Sequence, residues 1–172
     1  MGFLLLLPFF LIRFLLLSRL DQQALGRAAH FAPMPKTEKG FYWLYQVTNI
    51  MIFILILVLP IKRSPSSIYY MGLLVYLFGL LALTASIISF ASCDNTGFNC
   101  SGVYRFSRNP MYAAYFIFFI GCAVLLHSRL LLAAVLLFQL AAHRIILAEE
   151  NWCIQRFGSK YLDYMKKVRR YF

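Results

Sequence analysis

Near-continuous apolar runs occupy residues 2–17, 42–61, 68–91, 110–126 and 130–147, and short polar segments separate them. Runs of this length and uniformity predict helices in contact with lipid rather than strands. At a rise of about 1.5 Å per residue, the second and third comfortably cross a hydrocarbon core of about 30 Å. The fourth and fifth are shorter and joined only by His127, Ser128 and Arg129. They predict a tight helical hairpin, which either crosses fully or dips in and returns. The expected fold is therefore all-α: a multi-pass transmembrane helical protein forming one integral-membrane domain over residues 1–172.

Composition agrees with the pattern. Of 172 residues, 62% are hydrophobic and 13% charged, and the mean hydropathy is +0.72. A soluble core of this length cannot hide so much apolar surface, whereas a membrane protein need not. No linker, internal repeat or second composition marks a further domain.

The first run contains Arg13 and has no basic residue ahead of it, which makes it a poor signal peptide, although Ala24 and Gly26 leave cleavage open. Arg13 is expected to snorkel toward a headgroup or to face protein.

A formal charge of +11 would suit nucleic acid if it formed one patch. Here the cations lie between and after apolar runs, as in a membrane protein with a basic cytoplasmic side. One side collects Arg19, Arg27, Lys36, Lys39, Arg105, Arg108, Arg144, Arg156, Lys160, Lys166, Lys167, Arg169 and Arg170; the other holds Lys62, Arg63 and Arg129. This bias places the segment before the fourth run and the C-terminal tail on the same, cytoplasmic, face. Asn99-Cys100-Ser101 matches a glycosylation acceptor but is inert there. Cys93, Cys100, Cys122 and Cys153 have neither disulfide-framework nor zinc spacing, and no residue is assigned to a metal.

Two stretches carry candidate chemistry. In GVYRFSRNPMY, residues 102–112, Gly102 permits a sharp or positive-φ turn, and Asn109-Pro110 reads as an N-cap followed by a first helical residue. The free N–H groups of that helix end, with Arg105 and Arg108, attract anions, and Tyr104 and Tyr112 supply flat amphipathic walls. In residues 143–172, Glu149 and Glu150 are adjacent carboxylates at a membrane boundary. Burying either requires a positive partner: Arg144, Arg156, Arg108 or a cationic ligand. Beyond them Phe157, Tyr161, Tyr164 and Val168 form one helical stripe, predicting an interfacial amphipathic helix. His143 reads as a helix-end residue, His30 has no visible constellation, and Asp94, Asn95 and Thr96 read as loop formers.

In order and spacing, Gly102-Val103-Tyr104, Arg108-Asn109-Pro110-Met111-Tyr112, Glu149-Glu150 and Phe157-Gly158-Ser159-Lys160-Tyr161-Leu162-Asp163-Tyr164 resemble a motif set of membrane methyltransferases. That family includes isoprenylcysteine carboxyl methyltransferase and phosphatidylethanolamine N-methyltransferase. The resemblance covers roughly the last 75 residues, so that 93–172 would form the cofactor-binding region. It implies S-adenosylmethionine as methyl donor, and a lipid or lipid-attached acceptor (a phospholipid amine or an isoprenylcysteine carboxylate) entering from the bilayer. It puts Thr96, Gly97, Phe98, Asn99, Gly102, Tyr104, Asn109, Pro110, Met111, Tyr112 and Glu149 at the cofactor, with Arg108, Arg144 and Glu150 as catalytic candidates. Two departures bear on the acceptor. Asn109 stands where the family often has histidine, as in the phospholipid branch. The arginine that orients a substrate carboxylate would fall on Ile145, with Arg144 one residue early. Other readings are an NADPH-dependent sterol-type reductase and a non-catalytic scaffold whose basic tail binds anionic lipid.

Overall fold

A computed structural model describes residues 2–21, 39–61, 66–92 and 98–171. Among them all regular structure is helical, apart from one isolated parallel bridge between Ser107 and Arg169. Helix α1 runs from Gly2 to Leu20, with a 3-10 start at Gly2–Leu5 and a π-helical stretch at Leu11–Leu16. Then come α2 (Lys39–Val58), α3 (Ser67–Ala91), a 3-10 turn (Gly102–Arg105), α4 (Pro110–Leu125), α5 (Arg129–Phe157) and α6 (Ser159–Lys167). Helices α1, α2, α3 and α5 are long and apolar enough to cross a membrane, whereas α4 is shorter.

Local chemistry sets the boundaries. Ser66 and Ser128 cap α3 and α5 by accepting hydrogen bonds from the Tyr69 and Leu131 amides, at 3.3 and 3.2 Å. The expected hairpin forms between α4 and α5, its corner turned by His127 at φ +49°. Helix α5 ends at Gly158, which adopts φ +56°.

One boundary differs from the sequence expectation. The fifth apolar run stops at residue 147, but its helix continues to Phe157. Glu149 and Glu150 thus lie inside the final turns of α5 rather than after it. Hydropathy reports contact with lipid, while the backbone continues as a helix through residues that face protein or water.

Val58, Leu74, Leu81 and Leu140 are largely exposed, as expected of a surface that meets lipid. Inside the bundle, Phe9 stacks on Phe118 at 4.9 Å and Tyr45 on Phe138 at 4.8 Å, while Phe119 meets Phe138 edge-on. The Gly2 amide donates to the Leu59 carbonyl at 3.0 Å and the Tyr76 hydroxyl to the Leu5 carbonyl at 3.0 Å. These bonds anchor the start of α1 at the end of the bundle away from the site.

Helices α3 and α4 are in close backbone contact. A Cβ on Gly79 would stand 2.6 Å from the Phe118 backbone, and one on Gly121 would stand 2.6 Å from Tyr76 Cα. Small residues allow this approach, which maximises packing where no hydrophobic effect drives helices together. Gly79→Leu is expected to force α3 and α4 apart at a cost of about 1–3 kcal/mol or more. The check is a lower detergent melting temperature with unchanged helical content.

Candidate active site

The turn that precedes α4 is built from backbone constraints. Gly102 sits at φ +56°, and a Cβ there would collide with Ser89. Ser89 Oγ accepts the Val103 amide at 3.2 Å, which ties the turn to the end of α3. Tyr104 is buried in this turn. Next, the Ser107 hydroxyl accepts from the Asn109 amide at 3.3 Å and donates to the Arg170 carbonyl at 3.3 Å.

Pro110 opens α4 as expected, but Asn109 does not cap it through its side chain. The Asn109 amide instead reaches across to Glu150 Oε1 at 3.4 Å and the Arg170 carbonyl at 3.3 Å. It is Nδ2 that donates to these acceptors, and the side chain held by them makes no cap bond through Oδ1 to the amides of α4.

Glu150 is the centre of this network. Its side chain is only 4% exposed and meets two guanidinium groups. Arg108 donates from Nε and Nη2 at 3.0 Å, and Arg170 pairs bidentately, with Nη2 at 2.8 Å from Oε2. Hydrogen bonding to Glu150 holds the Arg170 guanidinium above its usual pKa. Of the partners the sequence offers, Arg108 is therefore used while Arg144 and Arg156 are not. Arg144 lies 4.9 Å above the Phe41 ring and Arg156 5.6 Å from the Trp152 ring.

Arg108 has a second duty. Its Nη1 donates to the Met165 and Val168 carbonyls at 3.0 and 3.1 Å, satisfying acceptors at the end of α6. The Arg108 amide bonds the Arg169 carbonyl at 2.9 Å, and Tyr164 donates its hydroxyl to the Tyr104 carbonyl at 2.6 Å. Burial pushes the Tyr164 phenol above its ordinary pKa, so it keeps the proton it donates. Tyr171 and His143 Nδ1 meet at 2.8 Å. Residues 164–171 are thereby fastened across the turn.

Helix α6 is amphipathic, as its stripe predicts, and the structure supplies the partners of its aromatic side. Tyr161 and Val168 are buried, and the Phe98 ring touches Phe157, Tyr161 and Tyr164 at centroid distances of 5.2, 5.3 and 5.5 Å. Helical periodicity does not reveal this partner, because Phe98 lies in the segment ahead of the 3-10 turn.

On the inner side of α4, the Tyr112 hydroxyl donates to Glu149 Oε1 at 3.0 Å. Glu149 also acts electrostatically on the buried hydroxyls of Tyr45 and Tyr104, together with Tyr115 and Arg13. Arg13 Nη1 lies 3.7 Å from Met111 Sδ, and its Cζ lies 5.8 Å from the Tyr115 ring centroid. These residues form a buried cluster of tyrosines around Glu149 and Arg13 between α1, α2, α4 and α5.

Of the candidate residues, the structure brings together Gly102, Tyr104, Arg108, Asn109, Pro110, Met111, Tyr112, Glu149 and Glu150. Phe98 adjoins through its α6 contacts, Asn99 follows it with Oδ1 buried, Arg144 stands apart on Phe41, and Thr96 and Gly97 lie outside the described residues. Sequence reasoning assigned no site role to Tyr45, Tyr115, Arg170 or Tyr171. It left Arg13 between headgroup and protein; Arg13 faces protein, and its only signal was a charge inside an apolar run. Among the described residues no His, Cys, Asp and Glu cluster could hold a metal.

Comparison with known proteins matches the same region. The family model described as phospholipid methyltransferase covers residues 68–160, from α3 to the start of α6. A protein-S-isoprenylcysteine O-methyltransferase from Xenopus laevis is 36% identical over 123 residues, spanning 63% of this chain and 42% of that relative. The chain thus aligns with less than half the length of the relative. Helices α3 to α5, the Gly102 turn, the Asn-Pro-Met-Tyr helix start and the acids of α5 lie essentially within the matched region, and the chain belongs to the phospholipid methyltransferase family.

Proposed function

We propose that this integral-membrane protein is a methyltransferase that uses S-adenosylmethionine to methylate a lipid or lipid-attached acceptor at the cytoplasmic face. The observation that carries this reading is the Tyr112–Glu149 pair, set beside the Gly102–Pro110 turn among buried tyrosines. When bound, the donor supplies a methyl group on a cationic sulfur, whose transfer to a nucleophile leaves a neutral thioether.

The residues present suit such a ligand. Glu149 offers negative charge, and Tyr104 and Tyr112 offer ring faces that favour a cation. Asn99 Oδ1 is buried without a hydrogen-bond partner among the described residues, an acceptor suited to an amino or ammonium donor. Phe98, Asn99, Gly102, Tyr104, Asn109, Pro110, Met111, Tyr112 and Glu149 would hold the cofactor, with Thr96 and Gly97 completing the set. Arg108 and Glu150 act here as positioning residues. Their mutual pairing fastens the tail across the turn, which fixes Asn109 and Tyr104. The cytoplasmic placement follows from the lysine and arginine bias.

Calorimetric titration of detergent-purified protein tests this reading. S-adenosylmethionine and its demethylated product are expected to bind at about 1 mM or below, while NADPH produces no heat. Binding of NADPH alone would favour the reductase reading, and no response to any of the three would leave a scaffold.

A further inference from the structure

A groove of about 420 Å³ lies between α3, α4, the turn and Tyr171 of the tail. Ala82 and Ala85 of α3 line it together with Pro110, Ala113, Ala114 and Ile117 of α4. These α4 residues recur at spacings of three and four, on the opposite face of that helix from Tyr112. The groove is therefore separate from the Tyr112–Glu149 pair. Along α3 its lining extends from Phe78 to Ser86, about 12 Å of helix.

The lining offers a ligand hydrocarbon and little else. Ser86 donates its hydroxyl to the Ala82 carbonyl at 2.7 Å, Ser107 donates to the Arg170 carbonyl at 3.3 Å, and the Tyr171 hydroxyl meets His143 at 2.8 Å. With those polar groups committed, the groove suits an alkyl chain better than a polar small molecule. At its open margin the rings of Phe78 and Phe106 are 60% and 78% exposed.

Positive charge adjoins this apolar lining. Arg105 directly precedes Phe106, and Arg169 bridges Ser107 through its backbone; both arginines are exposed. The acids of the tail region are already engaged: Glu149 by Tyr112, Glu150 by Arg108 and Arg170, and Asp163 by Lys166 at 3.0 Å. Among the described residues no acid pairs with Arg105 or Arg169.

We infer that this groove is a second lipid site, holding one acyl chain of an anionic glycerophospholipid with its phosphate against Arg105 and Arg169. Apolar walls accept the chain, and the arginines select the charge of the head group. The site goes beyond the methyltransferase reading and involves no donor. It also touches the fastening of the tail, because Ser107 and Tyr171 both line the groove and hold residues 170 and 171 in place. A chain packed against them strengthens that fastening.

The test uses the full chain, delipidated in detergent and free of donor, with native mass spectrometry to count bound dioleoyl-phosphatidylglycerol or dioleoyl-phosphatidylcholine. Wild type is expected to hold one phosphatidylglycerol about 10- to 30-fold more tightly than phosphatidylcholine, the preference that two arginines at a membrane surface confer. Arg105→Gln combined with Arg169→Gln should abolish the preference and leave phosphatidylcholine binding as it was. Both side chains are exposed, so this variant keeps the fold and carries the test if a groove variant does not assemble. Ala85→Phe, which fills the groove, should weaken both lipids by about tenfold or more. Phosphatidylglycerol should also slow proteolysis after residue 164 in wild type and not in Ala85→Phe.

The inference is overturned if wild type holds both lipids equally, if the double variant keeps the preference, or if folded Ala85→Phe binds normally. Displacement of phosphatidylglycerol by N-acetyl-S-farnesylcysteine would make the groove the acceptor's own chain site, and displacement by inorganic phosphate alone would reduce it to surface charge. Either result overturns it as well. Proteolysis that bound phosphatidylglycerol does not slow would overturn the coupling to the tail.

Discussion

Glu149→Gln is expected to weaken S-adenosylmethionine binding by about 10- to 100-fold, the range corresponding to loss of one charge-assisted interaction. The substitution keeps size and shape and removes the negative charge. Its amide can still meet the Tyr112 hydroxyl at the present 3.0 Å separation, so the fold should be retained. Calorimetry with S-adenosylmethionine reads the loss directly, and the melting temperature without ligand serves as control. Tyr112→Phe should have a smaller effect, since it removes a hydrogen bond that orients the carboxylate and leaves the charge. Donor affinity unaltered in Glu149→Gln would show that the donor is not held through α5.

Glu150→Ala is expected to act in the opposite way, with its main effect on stability. Removing this carboxylate leaves Arg108, 8% exposed at its side chain, and Arg170, 32% exposed, without their counter-charge. Breaking a buried pair by deleting one partner costs about 3–5 kcal/mol. Arg170→Ala should cost less, because water already screens part of that interaction, and Arg108→Ala should come close to Glu150→Ala. The readouts are detergent melting temperature and proteolysis of the chain after residue 164. Release of the tail in Glu150→Ala, and not in Glu149→Gln, would separate the group that positions the site from the group that faces its ligand. An intact tail in Glu150→Ala would show that the Tyr164–Tyr104 and Tyr171–His143 bonds suffice to hold it.

Much of the architecture was legible because its causes are local. The spans follow from runs of apolar residues, the hairpin from a three-residue connection, the turn from Gly102, and the start of α4 from Pro110. The expected meeting of the α4 start with the paired acids is also present, through the Tyr112–Glu149 and Arg108–Glu150 contacts. Local rules misled where a distant group offered a better partner. Asn109 carries a good N-cap side chain, yet Glu150 and the Arg170 carbonyl take it. Phe157, Tyr161 and Tyr164 have the spacing of an amphipathic stripe, as expected, but only the tertiary structure shows Phe98 as the ring they meet.

By itself, then, the chain's order of apolar and polar residues determines a helical membrane protein with a charged turn and tail at one end of the bundle. Hydropathy and backbone preference act over a few residues and survive any arrangement of the helices. Tertiary structure alone decided that Glu150 would take Arg108 and Arg170 rather than Arg144 or Arg156, and that Arg13 would lie against Met111. Those pairings join residues up to 98 positions apart. They depend on how each helix is rotated against its neighbours, which close packing at Gly79 and Gly121 and the stacked rings of the core determine.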